Sequence, residues 1–298
     1  MRKILWGLVF LSTAYLFFGK IIPLFYNKGF PLEVHFLDVG QGDAILINYL
    51  RTYQVLIDGG PSGNKLLKKL GEKMPWGDRR IEIVVLTHPD KDHMTGLIEL
   101  LDNFQVDLFL TNGQKTDSQD FLVLEEKIAK RGIKKETLYA GSHWEIGQRL
   151  NFLVLNPDGD DAQNLGEKNS QSVILRVTFG DNSFFLAADA EKETEKDLLS
   201  DGEVVDVDWL KVAHHGSKNA TTEEFLAVAR PEKAIISVGK NLYGHPTKET
   251  LERLEKSGAE VFRTDKLGTI SVVCPGLDQV CWIQHKKERL FNFNAFFY

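Results

Sequence analysis

The chain has 298 residues, 43% hydrophobic and 26% charged, a balance that excludes a disordered, collagen-like or coiled-coil protein. Lys and Arg total 36 against 42 Asp and Glu, a net charge of −6 that argues against a protein whose main task is to coat nucleic acid. That charge remains compatible with an enzyme that meets a phosphodiester at a metal site, and two cysteines exclude a disulfide-rich scaffold or a four-cysteine zinc module.

Arg2 and Lys3 precede an apolar run over residues 4–18. Continuing through Ile21, Ile22, Leu24 and Phe25 brings it to the ~20 residues a bilayer span needs, with Lys20 able to snorkel. Phe17-Phe18-Gly19-Lys20 offers no small-x-small cleavage site, so residues 1–28 read as an uncleaved single-pass anchor. Cleavage would instead make the protein secreted. Arg2 and Lys3 belong on the cytoplasmic side, which places the body outside the cytoplasmic membrane.

The body, residues 31–290, shows two halves with one plan. In the first, strands over 44–47 and 54–57 flank a turn and end at Asp58-Gly59-Gly60. A charged helix over 64–73 and a strand over 81–86 then lead to His88. In the second, strands over 173–179 and 183–188 flank a turn and end before Asp189. A helix over 191–199 and a strand over 207–212 then lead to His214 and His215. A further strand over 234–238 precedes Tyr243-Gly244-His245-Pro246-Thr247 and a helix over 248–256. Near the end, Cys274 and Cys281 bracket a turn between two strands, a pattern open to a cross-strand disulfide or to two packed thiols. Residues 291–298 form a tail. Two sheets with helices outside and ionisable residues at one rim follow from this order.

The densest constellation is Thr87-His88-Pro89-Asp90-Lys91-Asp92-His93, with four metal-ligand types directly after an apolar strand. Imidazole and carboxylate are the usual donors for divalent ions that activate water. Asp90 and Asp92 are also good helix caps, but two flanking histidines favour metal. Asp189 admits two readings, a buried carboxylate held by a cation or a cap for the next helix. His214-His215-Gly216-Ser217 repeats the strand-to-histidine design. His245 is balanced between a substrate-facing role and a turn capped by Thr247.

These residues carry a resemblance to a known family. The chain resembles a metallo-β-lactamase-fold hydrolase, and within that superfamily the extracytoplasmic hydrolase domain of ComEC-type DNA-uptake competence proteins. The matching pieces are Val34-His35-Phe36-Leu37-Asp38-Val39-Gly40-Gln41-Gly42-Asp43-Ala44, Leu56-Ile57-Asp58-Gly59-Gly60 and the His88 to His93 motif. Others are Asp189 at its strand end, Leu210-Lys211-Val212-Ala213-His214-His215-Gly216-Ser217 and Tyr243-Gly244-His245-Pro246. The multi-span channel region of full competence proteins has no counterpart here.

The resemblance implies an α/β, four-layer αβ/βα sandwich with a metal site between two sheets. It implies one or two divalent ions, with His88 and Asp90 facing the first and Asp92 and His93 the second. Asp189 would bridge them, His215 would complete the second site and His214 would stand beside the substrate. Asp58 would support the ligands by accepting an imidazole proton, with Asp38, Asp43 and Ser217 as further supporting residues. Two departures from the family pattern matter. Asp90 stands where histidine is usual, and a further histidine before the bridging Asp is missing. His143, within residues 142–145 that read as a turn, is the only histidine between His93 and Asp189. An oxygen-rich first site suits Mn²⁺ or Mg²⁺, with Zn²⁺ also admissible.

The expected function is a membrane-anchored metal-dependent hydrolase, a phosphodiesterase and in its narrower form a nuclease acting on DNA. Asp90 or Asp92 would take the proton of the attacking water, and His214 or His245 would assist the leaving oxygen. The alternatives are hydrolysis of a non-nucleotide ester, such as a cell-wall phosphodiester or a lactam, and a non-catalytic metal-binding module in DNA uptake.

Overall fold

The computed structural model describes residues 31–284, apart from residues 148, 160–167 and 205. The expected anchor over 1–28 and tail over 291–298 lie outside the described residues. Among the described residues, no helix is long and apolar enough to cross a membrane.

Two sheets face each other. The first contains β1 (Leu32–Phe36), β2 (Ile45–Tyr49), β3 (Tyr53–Ile57), β4 (Arg80–Leu86), β5 (Gln105–Thr111) and β6 (Lys134–Thr137). The second contains β7 (His143–Ile146), β8 (Leu150–Asn156), β9 (Ile174–Phe179), β10 (Asn182–Leu186), β11 (Trp209–Lys211), β12 (Lys233–Ile236) and β13 (Glu260–Arg263). β14 (Ile270–Cys274) and β15 (Trp282–Ile283) return to the first sheet, giving the order β15-β14-β1-β2-β3-β4-β5-β6. The second sheet runs β13-β12-β11-β10-β9-β8-β7.

Alternation along the strands builds the layers, because successive side chains point to opposite faces. Ile45, Ile47, Val55 and Ile57 meet Leu175, Val177, Phe184 and Trp209 in the core between the sheets. Leu46 and Leu56 point the other way, onto α1 (Gly63–Lys73), α2 (Lys91–Asn103) and α3 (Gln119–Lys130). Likewise Phe185 and Leu210 face a third core covered by α4 (Lys192–Ser200), α5 (Glu223–Ala229) and α6 (Lys248–Ser257). Three apolar cores separate four layers. The helices start where the sequence supplies caps: Ser118, Thr222 and Thr247 each accept a hydrogen bond from the third residue onward.

Both halves follow the plan read from the sequence. The hairpin β2–β3 leads through α1 into β4, which lies parallel to β3. The hairpin β9–β10 leads through α4 into β11, parallel to β10. Cys274 and Cys281 form a disulfide across the last hairpin, their Cα atoms 4.3 Å apart.

Some boundaries differ. Residues 142–145, expected as a turn, enter β7, where alternation decides the matter: His143 and Glu145 are exposed, Ile146 is buried and Trp144 stacks on Phe152. The strand expected over 183–188 stops at Leu186, because Ala188 takes a left-handed backbone (φ 47°). The strand expected over 207–212 is confined to Trp209–Lys211.

One close approach positions the rim. Gly59 N donates to His93 O (2.6 Å) and Gly96 N donates to Gly60 O (2.9 Å), so α2 rests directly on the turn after β3. A Cβ on Gly96 would lie 1.9 Å from Gly59 O. Gly96→Ala should therefore lower stability by about 1–3 kcal/mol, the usual scale of overpacking, and shift His93 away from Asp58. Chemical denaturation together with metal titration checks both effects.

Candidate metal centre

The carboxyl ends of four strands meet at one rim, the usual place for a site in α/β sheets. β3 delivers Asp58, β4 delivers Thr87 and His88, β10 leads to Asp189, and β11 leads to His214 and His215. Asp58, Ala188, His214 and His215 all have φ between 46° and 59°. Left-handed backbone at non-glycine residues costs roughly 1–3 kcal/mol each, and such strain gathers where function requires it.

The hydrogen bonds fix how each buried imidazole faces. Asp58 is fully buried and accepts from Thr87 N (2.8 Å), the Thr87 hydroxyl (2.8 Å) and His93 Nδ1 (2.8 Å). Because the Thr87 hydroxyl donates to Asp58, it accepts from His88 Nδ1 at 3.0 Å. His215 Nδ1 donates to the Ser237 carbonyl at 2.8 Å. All three rings therefore commit Nδ1 to an acceptor and turn Nε2 to the centre, the orientation that metal-binding histidines need.

Those Nε2 atoms, and Asp189 Oδ1, are buried without a hydrogen-bond partner. Buried lone-pair atoms without a partner are costly, and those of His93, His215 and Asp189 gather where a cation would satisfy them. Ligand atoms of Asp92, His93, Asp189 and His215 all lie within 4.8 Å of one another. His93 Nε2 is 3.3 Å from Asp189 Oδ1, His215 Nε2 is 3.3 Å from Asp92 Oδ2, and His215 Nε2 is 3.6 Å from Asp189 Oδ2. Two nitrogens and two carboxylates suit Zn²⁺ or Mn²⁺. A second grouping of Asp43, Asp58 and His93 is equally compact. Its members are largely committed to one another and to the protein, since Asp58 and His93 hydrogen-bond each other and Asp43 pairs through Oδ2 with the buried Lys211 ammonium.

Charge at the centre follows from these contacts. Burial, with His93 adding to it, pushes His88 down to about 4, so it stays neutral. Burial also opposes charge on His93, yet Asp189 and Asp58 outweigh it and hold His93 well above 6.5. His215 is raised in the same way, against burial, by Asp189 and Asp43. Burial works upward on Asp92, but the adjacent His215 and His93 hold it at about 2. Asp189 is kept well below the usual range by His215 and His93, again against burial.

The expected residues are distributed as follows. Asp92, His93, Asp189 and His215 come together, and Asp189 does not cap α4, whose N-cap is Glu191. His88 stands beside them, its ring 4.1 Å from that of His93, with Asp90 Oδ2 at 3.8 Å from its Nε2. Asp90 occupies the N-cap of α2 but makes no side-chain cap bond. His143 is exposed on β7, its Nδ1 3.3 Å from Gly141 O, so it supplies no imidazole to the first site. His214 is half-buried, with Nδ1 3.1 Å from Glu191 Oε1 and Nε2 3.8 Å from Asp189. The His245 ring packs against it at 5.6 Å. Asp43 backs the centre from beneath, 3.5 Å from His215 Nδ1.

Two supporting residues are not brought to it. Asp38 pairs with Lys69 (3.8 Å) and its backbone N donates to Thr269 Oγ1, because the chain turns back between Gly40 and Gly42. Ser217 serves the turn after His215, accepting from Asn219 N. Lys211, Thr87 and Glu191 were missed by sequence reasoning. For Lys211 a signal existed: Trp209 points between the sheets and Leu210 outward, so a lysine follows at an inward position. Its Nζ donates to Ala188 O (3.0 Å) and lies 4.0 Å from Asp189.

Because His93 and His215 hold protons above their usual range, a metal must displace them. Affinity should be greatest above those raised values and fall as pH drops through them, while His88 adds no competition until near pH 4. Metal titration calorimetry at several pH values, with proton release measured, checks this. Lys211→Met removes the ammonium paired with buried Asp43, and should cost about 3–5 kcal/mol by chemical denaturation. Adding Asp43→Asn should recover part of the loss.

The sequence profile of the metallo-beta-lactamase superfamily matches residues 37–240. Among curated proteins the chain is similar to ComE operon protein 3 of Bacillus subtilis, 34% identical over 268 residues, covering 84% of this chain and 34% of that protein. It is also similar to Recombination protein 2 of Haemophilus influenzae, 31% identical over 244 residues, covering 80% of this chain and 28% of the relative. Competence protein ComA of Neisseria gonorrhoeae is 27% identical over 240 residues, covering 78% of this chain and 31% of that protein. The chain thus spans about a third of the length of these relatives. Among solved structures, the metallo-beta-lactamase fold protein YhfI from Bacillus subtilis superposes with TM-score 0.53 at 13% identity, covering 85% of this chain and 100% of the other. Zn²⁺-bound PqqB from Methylobacterium extorquens gives 0.52 at 14%, covering 77% and 87%. These likenesses share the two flanked sheets, and with the profile match they settle the family: the chain belongs to the metallo-beta-lactamase superfamily.

Proposed function

We propose that the protein is a metal-dependent phosphodiesterase acting outside the cytoplasmic membrane, with nucleic acid as its favoured substrate. The observation that carries the hydrolase reading is the cluster of Asp92, His93, Asp189 and His215, whose buried Nε2 atoms face carboxylates without a hydrogen-bond partner. The nucleic-acid reading draws support from relatives named as competence and recombination proteins. The extracytoplasmic reading rests on the apolar run behind Arg2 and Lys3.

One divalent ion or two, Zn²⁺ or Mn²⁺ with Mg²⁺ also admissible, would be held by Asp92, His93, Asp189 and His215, with His88 and Asp90 beside them. Such ions supply Lewis acidity for the phosphoryl oxygens and make water acidic enough to attack at neutral pH. Asp90 lies at the mouth of the centre and is the residue placed to accept the proton of the attacking water. Asp92 belongs to the cluster that would hold the ion and serves as an anion that anchors charge. Glu191 accepts from His214 Nδ1, which orients His214 Nε2 toward the centre to protonate the leaving oxygen. His245 is pushed down by burial and by His214, so it approaches substrate as a neutral imidazole.

With Mn²⁺ supplied, the protein should cleave a model phosphodiester. Asp189→Asn should lose bound metal and reduce turnover by at least about 100-fold. His214→Ala should keep its metal while kcat falls about 10²–10⁴-fold. Wild-type protein that holds metal but cleaves only a lactam or a cell-wall ester would replace the phosphodiesterase reading with the non-nucleotide one.

A further inference from the structure

We infer that Tyr243 and Leu242 form the outer step of a stacking platform that guides an unpaired nucleic-acid end into the metal centre. The inference rests on the phosphodiesterase reading and narrows its substrate to a single strand. Leu242 is 101% exposed and Tyr243 75%, large apolar groups left in solvent on one short loop. Scattered exposed apolar residues need no explanation, but Tyr243 is tied to the site and Leu242 directly precedes it in the chain. A chain of ring contacts connects Tyr243 to it. His215 and His214 have centroids 6.2 Å apart, His214 and His245 are 5.6 Å apart, and His245 and Tyr243 are 5.8 Å apart.

The loop is built to hold the Tyr243 backbone in place. Asn241 Nδ2 donates to Gly239 O (2.9 Å) and His245 O (2.8 Å), while its Oδ1 accepts from Tyr243 N (3.1 Å) and His245 N (3.0 Å). The base of the loop is clamped onto the turn at Gly40 and Gln41: a Cβ on Gly239 would fall 2.3 Å from Gly40 C, and Gly239 N donates to Gln41 Oε1 (3.3 Å). An exposed ring carried on a braced backbone loses less entropy when a flat partner stacks on it than one on a loose loop. Cations flank the same loop, since the Lys65 ammonium lies over Gly40 and the exposed Lys240 follows Gly239. Rings joined to a few cations fit a strand whose bases stack while its phosphates are neutralised. A duplex keeps its base faces covered, so an unpaired strand is the form this surface can grip. Each ring-to-ring step is under two rises of a stacked strand, roughly 3.4 Å each, so the path to Asp189 covers only a few nucleotides.

The test measures binding of a phosphorothioate-linked single-stranded octanucleotide to the full chain, beside an oligomer of the same length whose sugars carry no bases. Tyr243→Ala should weaken octanucleotide binding roughly tenfold, and Tyr243→Trp should retain it, as expected for stacking. The base-free oligomer should bind wild type and Tyr243→Ala alike, and a blunt duplex should bind wild type more weakly than the single strand. Equal octanucleotide affinity in wild type and Tyr243→Ala overturns the platform. So does an equal loss for the base-free oligomer, or no octanucleotide binding by wild type. Failure of the phosphodiesterase reading shows separately, as absence of cleavage of the base-free and the ordinary phosphodiester oligomers by Mn²⁺-loaded wild type.

Discussion

A buried carboxylate needs its donors, and Asp58 finds three: the Thr87 amide, the Thr87 hydroxyl and His93 Nδ1. An anion placed there without them would cost several kcal/mol, so the turn after β4 and the start of α2 must both come to it. In satisfying Asp58 they also orient two histidines, His93 directly and His88 through the Thr87 hydroxyl. The demand extends outward to Gly59 and Gly96, whose close contact sets how far α2 stands from β3. Geometry at the centre is therefore a by-product of paying off one charge in the interior.

Neither sheet assembles the centre alone. The first contributes His88, Asp92 and His93, and the second contributes Asp189 and His215. Their separation is set by the apolar core between the sheets, where Ile45 and Ile57 meet Leu175 and Leu186. Lys211 at the top of that core balances Asp43 and stands 4.0 Å from Asp189, so a fixed positive charge is already present among the carboxylates. Left-handed backbone at His214 and His215 lets adjacent residues divide their work, His215 buried against Asp92 and Asp189, His214 half-exposed against Glu191.

Much of this was legible in the sequence because the chain marks its strand ends chemically. The hairpins before Asp58 and Asp189 and the parallel strands leading to His88 and His214 agree with the folded chain. Helix capping by Thr247 was visible too, since hydroxyl capping is a local interaction. What escaped was non-local. Asp38 and Ser217 sit in motifs beside residues of the candidate centre, yet their contacts are Lys69, Thr269 and Asn219. Thr87 and Ser237 matter through one hydroxyl and one carbonyl, groups whose partners depend on how distant segments dock. His143 lies on an edge strand because Trp144 and Ile146 have a core to face, which residues 142–145 in isolation do not reveal.

The first sheet is completed by the last strands of the described chain. β1 is flanked by β2 and β14, and the cross-strand pair His35 and Ser271, whose side chains meet at 2.9 Å, is 236 residues apart. Every donor of the metal centre precedes residue 216, so the centre's sequence is complete long before its scaffold is. During synthesis β1 presents a bare row of amides and carbonyls until β14 arrives, and that open edge is a template for pairing with another chain. The Cys274–Cys281 crosslink lies in the very hairpin that seals it. Shortening the chain at its carboxyl end would thus leave all the candidate metal donors in place and remove the protection of the first described strand.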